Sequence, residues 1–250
     1  MTARTARRIP VLAAVLAALL ATAVHASAAT VVPGPGGIAV TDPRGTADDL
    51  VIGFPAPETV RVHSAAGPLA LDPRIEAGFR GVVCNRTDAA TAVCRPDDAT
   101  AGMRLEIRTG AGDDRVRFTR PSSAPGGILA PRVDAGAGDD LVVADGLVEG
   151  GAGDDVLRVV AGARTAALLG GAGDDLLVGG RGDDVLMGGA GRDRMFDRSA
   201  GNRFVGGPGR DLAVIGKVVR ASSASLDAGG AEEPPGPVAD VIIGLEDVRS

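Results

Sequence analysis

GGAGDDLLV (170–178), GGRGDDVLM (179–187), GGAGRDRMF (188–196) and GGPGRDLAV (206–214) are four versions of one nine-residue phrase. Each begins G-G-x-G-x-D and ends on three residues whose middle member is apolar. From Ala161 to Val214 the period of nine runs through six units, and another full copy, GGAGDDVLR, stands at 150–158. A short fixed period repeated this often predicts a stacked solenoid, because one unit can bury its apolar side only against its neighbours. Position 8 carries the register: Leu157, Leu168, Leu177, Leu186, Met195, Phe204 and Ala213 are all apolar. Leu168 and Phe204 keep that character in units that lack the glycine code.

The first six positions carry the chemistry. Glycines at positions 1, 2 and 4 permit the backbone angles of a tight turn and let loop carbonyls face a common centre. The aspartate at position 6 adds a carboxylate. Six to eight hard oxygen donors suit Ca2+, whereas Mg2+ demands a tighter octahedron and sheds water reluctantly. The phrase resembles the calcium-binding nonapeptide of the RTX (haemolysin-type) family.

That resemblance implies a right-handed parallel β-roll, with two nonamers to a coil and successive loops on opposite sides. Each calcium then lies between loops on one side in neighbouring coils. Loops 170–175, 188–193 and 206–211 share a side and are intact. The other side holds 161–166 (AGARTA), 179–184 (GGRGDD) and 197–202 (DRSAGN), of which only the middle one is intact. The implied ligand residues are Gly171, Gly173 and Asp175, then Gly189, Gly191 and Asp193, then Gly207, Gly209 and Asp211. Sites are expected between Asp175 and Asp193 and between Asp193 and Asp211. Asp184 has weak partners, with Asn202 at position 6 of the next loop on its side. The copy at Gly150 starts two residues too early for a whole coil; with Val159 and Val160 bulged outward, Asp155 pairs with Asp175. Residues 109–114 and 135–140 lack the first glycine and add Asp114 and Asp140 as candidates. Calcium is expected to order the roll.

Outside the repeats, four segments are expected: a signal peptide (1–28), a β region with a disulfide (29–108), the repeats (109–221), and a loop with a capping strand (222–250). Arg4, Arg7 and Arg8 precede an apolar stretch at 11–24, and Ala26-Ser27-Ala28 is a cleavage signal. The stretch is too short to span a bilayer comfortably, and a membrane anchor is the alternative reading. Export through an N-terminal signal departs from the C-terminal signal common in the family. Removing 1–28 takes away three arginines and no acid, so the charge moves from −6 to −9. That balance disfavours nucleic acid and anionic membranes and suits a cation binder. Cys84 and Cys94 are the only cysteines; in an exported chain they are expected to pair. A metal site there has no histidine pair to support it.

Residues 29–47 read as irregular, with a short strand inside 31–40. Residues 48–52 (DDLVI) look like a worn repeat, and 59–63, 69–71, 81–84, 91–94 and 104–108 read as short strands. An insertion at 121–131 separates the degenerate copies, and 240–245 reads as a final strand able to cap the stack. No helical period follows the signal peptide. Trp and Tyr are absent and Phe occurs five times, which excludes a core of large aromatics. Positions 7 and 9 face outward and are apolar in excess. Either the N-terminal strands cover that face, or it associates with itself or with an unknown extracellular protein.

Enzymatic signatures are missing: there is no G-x-S-x-G and no H-E-x-x-H, and His63 is the only histidine beyond the signal peptide. Asp-Asp pairs recur at several places, which fits a structural ligand better than a single active site. Arg181-Gly182-Asp183 is positions 3 to 5 of a repeat. The expectation is an all-β, secreted, non-enzymatic calcium binder; the alternative is an extracellular adhesion module in which calcium is only structural.

Overall fold

The computed structural model describes residues 29–42, 44–56, 58–78, 81–97, 102–120, 122, 128–163, 165–199, 201–215, 223–225 and 241–244. The expected signal peptide (1–28), most of the insertion 121–131 and most of the loop 222–237 lie outside the described residues.

Each nonamer turns over six residues and extends over three, so consecutive strands alternate between two sheets. One sheet runs in the order Ser223–Ser225, Arg203–Val205, Val185–Ala190, Ala166–Ala172, Gly146–Ala152, Ile128–Ala137, Met103–Ala111, Gly37–Thr41, Thr30–Gly34, Ala70–Leu71. The other runs Val241–Gly244, Leu212–Ile215, Arg194–Asp197, Leu176–Val178, Val156–Val159, Leu141–Ala144, Arg115–Phe118, Asp49–Gly53, Val60–Ser64, Thr91–Pro96, Val82–Asp88. Among the described residues every pairing from Met103 to Gly244 is parallel, so the chain forms the two-sheet roll that the nonamer implies.

The register stacks the inward residues into two columns. In the first sheet, Val40, Ile107, Val133, Val148, Leu168, Leu186 and Phe204 lie in successive register, and all are buried. Leu50, Val116, Val142, Leu157, Leu177, Met195 and Ala213 do the same in the second. Burying each of the larger side chains stabilises the roll by about 1.5–3 kcal/mol. Outward residues at positions 7 and 9 are mostly half-buried by their neighbours, and Leu141 (41 %) and Met187 (39 %) are the exposed large ones.

The two surplus residues before Gly170 do not bulge outward at Val159 and Val160. Both side chains are buried, and Val159 pairs with Ala144. The excess is taken up in the following turn, where Ala161 and Gly162 are exposed. The register is kept: Gly151 lies opposite Gly171 and Val156 opposite Leu176.

At the N-terminal end, residues 29–47 are more regular than their composition suggests. Thr30–Gly34 and Gly37–Thr41 form an antiparallel hairpin across Pro35-Gly36. Gly36 has φ 72°, the positive angle that a Pro-Gly turn needs at its second central residue. The N-terminal strands do not cover the outward faces. They prolong both sheets, with Gly37–Thr41 beside Met103–Ala111 and Asp49–Gly53 beside Arg115–Phe118. An antiparallel set, Val60–Ser64, Thr91–Pro96 and Val82–Asp88, completes the second sheet. A single helical turn, Pro73–Glu76, starts at the N-cap Asp72 and packs on Thr30–Gly34 of one sheet and Val82–Asp88 of the other. Ile75 and Leu69 are buried there, so the mouth of the roll is closed by apolar side chains. Cys84 and Cys94 are disulfide-bonded and directly opposite one another on the last two strands. Phe54 and Phe118 meet edge to face at 5.5 Å nearby.

Candidate calcium centre

On one side of the roll the turns stack directly. Gly110, Gly136, Gly151, Gly171 and Gly189, the second positions of their loops, are in register. Gly171 (φ 128°) and Gly173 (φ 137°) sit in a backbone region that side chains rarely adopt. A methyl on Gly171 would run into the Gly151 carbonyl oxygen, and one on Gly173 into that of Gly153. The loops approach this closely because nothing projects between them. Gly189, Gly191, Gly207 and Gly209 repeat the arrangement in the coils beyond.

Position 6 forms a ladder through this stack. The N–H of Asp48 donates to Oδ1 of Asp114 at 2.6 Å, that of Asp114 to Asp140 at 2.7 Å, and that of Asp140 to Asp155 at 2.9 Å. Asp155 donates to Asp175 at 2.9 Å, Asp175 to Asp193 at 3.0 Å and Asp193 to Asp211 at 2.9 Å. All seven aspartates are buried. The second oxygen, Oδ2, of Asp140, Asp155, Asp175 and Asp193 is buried with no hydrogen-bond partner. Asp48 heads the ladder, and neither of its carboxylate oxygens has a hydrogen-bond partner.

Those orphaned oxygens point into the loops. The place a Cβ would take on Gly150 is met by Oδ2 of Asp155 and, at 2.8 Å, by the carbonyl oxygen of Gly170 in the next coil. On Gly170 it is met by Oδ2 of Asp175 and the carbonyl of Gly188. Carboxylate and main-chain oxygens therefore converge between neighbouring coils, the donor set that Ca2+ accepts. Among the described residues no three acidic, histidine or cysteine side chains gather as a metal cluster. A cation here would have main-chain oxygens and the column of single carboxylates as its donors. Burial pushes Asp140 and Asp175 up to about 7, and Asp155 and Asp193 up to about 6, against 3.8 for an ordinary aspartate. In each case the donated N–H pulls the other way and neighbouring carboxylates add to the rise. Such a column is costly without a counter-charge.

Position 5 supplies a second ladder that the motif does not announce. The N–H of Asp139 donates to Oδ1 of Asp113 at 3.0 Å, Asp154 to Asp139 at 2.9 Å, Asp174 to Asp154 at 2.8 Å and Arg192 to Asp174 at 2.9 Å. These bonds run opposite to those of position 6, so each Asp-Asp pair ties its loop to the coil before and the coil after. The recurrence of the pair was the signal available.

The other side differs. Asp184 is buried, and both of its oxygens accept main-chain N–H groups, from Ala166 and Gly180, each at 2.7 Å. Its own N–H donates to Oδ1 of Asn202 at 2.8 Å. Gly180 has no positive φ, although its loop spells the full code. Of the neighbouring loops, 161–166 keeps only the position-2 glycine, Gly162, and 197–202 keeps none of the three code glycines, while the Val159 side chain fills the space under Gly180. His63 lies on Val60–Ser64, opposite Val51, where its Nδ1 is 2.9 Å from the Thr91 hydroxyl.

No curated protein and no solved structure matches the chain. The family described as RTX calcium-binding nonapeptide repeat (4 copies) matches residues 147–166 and 167–196, about a fifth of the chain. Those windows contain Asp155, Asp175, Asp184 and Asp193, and repeats of this kind bind Ca2+. The chain thus carries RTX-type calcium-binding nonapeptide repeats, wound as a parallel two-sheet roll.

Proposed function

We propose that the protein is an exported, non-enzymatic calcium binder whose roll is ordered by the ions it takes up. The observation that carries this reading is the column of buried, unpartnered Oδ2 atoms on Asp140, Asp155, Asp175 and Asp193, with a main-chain oxygen of the next coil beside those of Asp155 and Asp175. Asp114 and Asp211 extend the column at its ends. Gly171, Gly173, Gly189, Gly191, Gly207 and Gly209 serve it by admitting neighbouring loops to close range. Bound Ca2+ supplies positive charge that offsets the buried carboxylates, and binding to the folded roll alone stabilises it. Extracellular calcium modules typically work at about 10⁻⁴–10⁻³ M. The signal-like residues 1–28 support export, and among the described residues no helix is long and apolar enough to cross a membrane. Chelator-treated protein titrated with calcium and followed by circular dichroism tests the reading. A gain of β-signal at sub-millimolar to millimolar Ca2+, lost in Asp193→Ala, is expected. Full β-signal already present in chelator, unchanged by calcium, overturns it.

A second reading, an adhesion or surface module in which calcium is only structural, is favoured by the exposure of Leu141 and Met187 on the outward faces. Concentration-dependent self-association of the calcium-loaded protein, absent when both are changed to serine, is the result that would favour it.

A further inference from the structure

Besides Asp145, which accepts from Ser122, the second side of the roll holds two further buried carboxylates, although only one of its loops spells the code. Asp184 belongs to the intact loop 179–184 and is 1 % exposed. Asp197 stands at position 1 of the worn loop 197–202, where the code has glycine, and is 3 % exposed. Its Oδ1 accepts the Ser199 N–H at 2.7 Å and the Ser199 hydroxyl at 2.8 Å. Its Oδ2 is buried with no hydrogen-bond partner, and comes to the place a Cβ would take on Gly179. The side chain therefore enters the space that the glycine leaves open in the intact loop.

Asp184 Oδ2 accepts the Gly180 N–H at 2.7 Å, and Asp197 Oδ2 stands against the adjacent Gly179, so the two carboxylates meet at one dipeptide. No arginine or lysine among the described residues forms an ion pair with either. Two facing carboxylates out of water, with one oxygen unsatisfied, need a positive charge between them. Hard oxygens on irregular loop backbone suit an ion that accepts variable coordination.

We propose that Asp184 and Asp197 together hold a calcium ion on the second side of the roll, a site in which a position-6 carboxylate is completed by a position-1 carboxylate. This rests on the calcium reading above and adds to it: the missing glycine code at 197–202 is replaced by a charged ligand. Asn202 and Ser199 position the pair, the first through the Asp184 N–H and the second through Asp197 Oδ1.

The test is calorimetric titration of CaCl2 into chelator-stripped protein purified from an exporting host, as wild type, Asp197→Asn, Asp184→Asn and Asp193→Asn. Asp197→Asn keeps an acceptor for Ser199, so its loop has the means to close. Asp197→Asn and Asp184→Asn are each expected to bind one Ca2+ fewer per chain than wild type, with the remaining sites unchanged. Asp193→Asn is expected to lose ions from the first side and keep the one that depends on Asp197. Unchanged stoichiometry and affinity in both Asp197→Asn and Asp184→Asn overturns the proposal, and leaves a shared proton as the charge between the pair. Failure of the first-side reading looks different, because Asp193→Asn then matches wild type. If one of the two second-side variants does not regain wild-type β-signal in calcium, the other decides alone. If neither does, a titration of wild type that yields no ion beyond those lost on stripping the first side overturns it.

Discussion

The main-chain N–H of Asp175 donates to Oδ1 of Asp193 in the next coil at 3.0 Å, while Oδ2 of the same carboxylate is buried without a partner. One oxygen ties two coils together, and the other is the one proposed to meet a cation. The two roles separate by substitution. Asp193→Asn removes the charge and keeps an acceptor for the Asp175 N–H. Asp193→Ala removes both, and losing a hydrogen bond to a charged group costs about 1.5–3 kcal/mol. Thermal melts with chelator and with 10 mM-range calcium (about 10 times the typical extracellular affinity) should show the calcium-induced rise in Tm reduced in both variants. Only Asp193→Ala should melt markedly lower in chelator. A full calcium-induced rise in Asp193→Asn contradicts the role given to Oδ2.

Acid should substitute for calcium. Burial holds Asp140 and Asp175 near 7 and Asp155 and Asp193 near 6 in the folded chain, above the ordinary 3.8. Between those limits the folded chain binds more protons than the unfolded one, so the stability these groups contribute is complete below about 4 and is lost as pH rises through 6 and 7. Calcium has to displace the same protons, and its affinity rises over that interval. The metal-free protein should melt higher at pH 5 than at pH 8, and saturating Ca2+ should raise Tm more at pH 8 than at pH 5. Equal metal-free melting at the two pH values argues against a buried, uncompensated column.

Stacking of the loops sets a steric rule that backbone angle alone does not. Gly171 and Gly81 both have positive φ, 128° and 80°, but a methyl on Gly171 meets the Gly151 carbonyl while one on Gly81 meets nothing within 4 Å. Gly81→Ala should cost only the angular penalty, about 1–2 kcal/mol. Gly171→Ala should cost more, because two coils have to move apart, and it should weaken calcium binding as well. Urea denaturation in calcium measures the first, and titration the second. Equal losses in the two variants mean that the coils part without cost.

The period alone placed much of this molecule. Seven apolar position-8 residues fall in the inward columns, and the alternation of loops puts Asp175, Asp193 and Asp211 on one ladder. What a motif reading misses are relations between units. Asp48 heads the ladder although its loop has lost the glycines, because strand register brings Asp49 opposite Arg115. The loop 179–184 spells the code and folds differently, since its neighbours decide whether glycines can stack. Asp197 looks like decay of position 1, and only its burial beside Asp184 marks it as a candidate ligand. Composition hid the Pro35-Gly36 hairpin, because two turn residues between short apolar runs resemble a loop.

Inward and outward apolar residues should differ sharply in what they contribute. Phe204 is buried in register with Leu186, and saturating Ca2+ holds ion occupancy constant while its packing is tested. Phe204→Ala should cost about 3–5 kcal/mol, as deletion of a buried aromatic does. Met187, one residue from Leu186 in the same strand, is 39 % exposed, and Met187→Ala should change stability by about 0.5 kcal/mol or less. Chemical denaturation at saturating Ca2+ compares the two directly. A large loss for Met187→Ala, growing with protein concentration, means that the outward face is buried against a second chain, and the roll is then one half of a larger core.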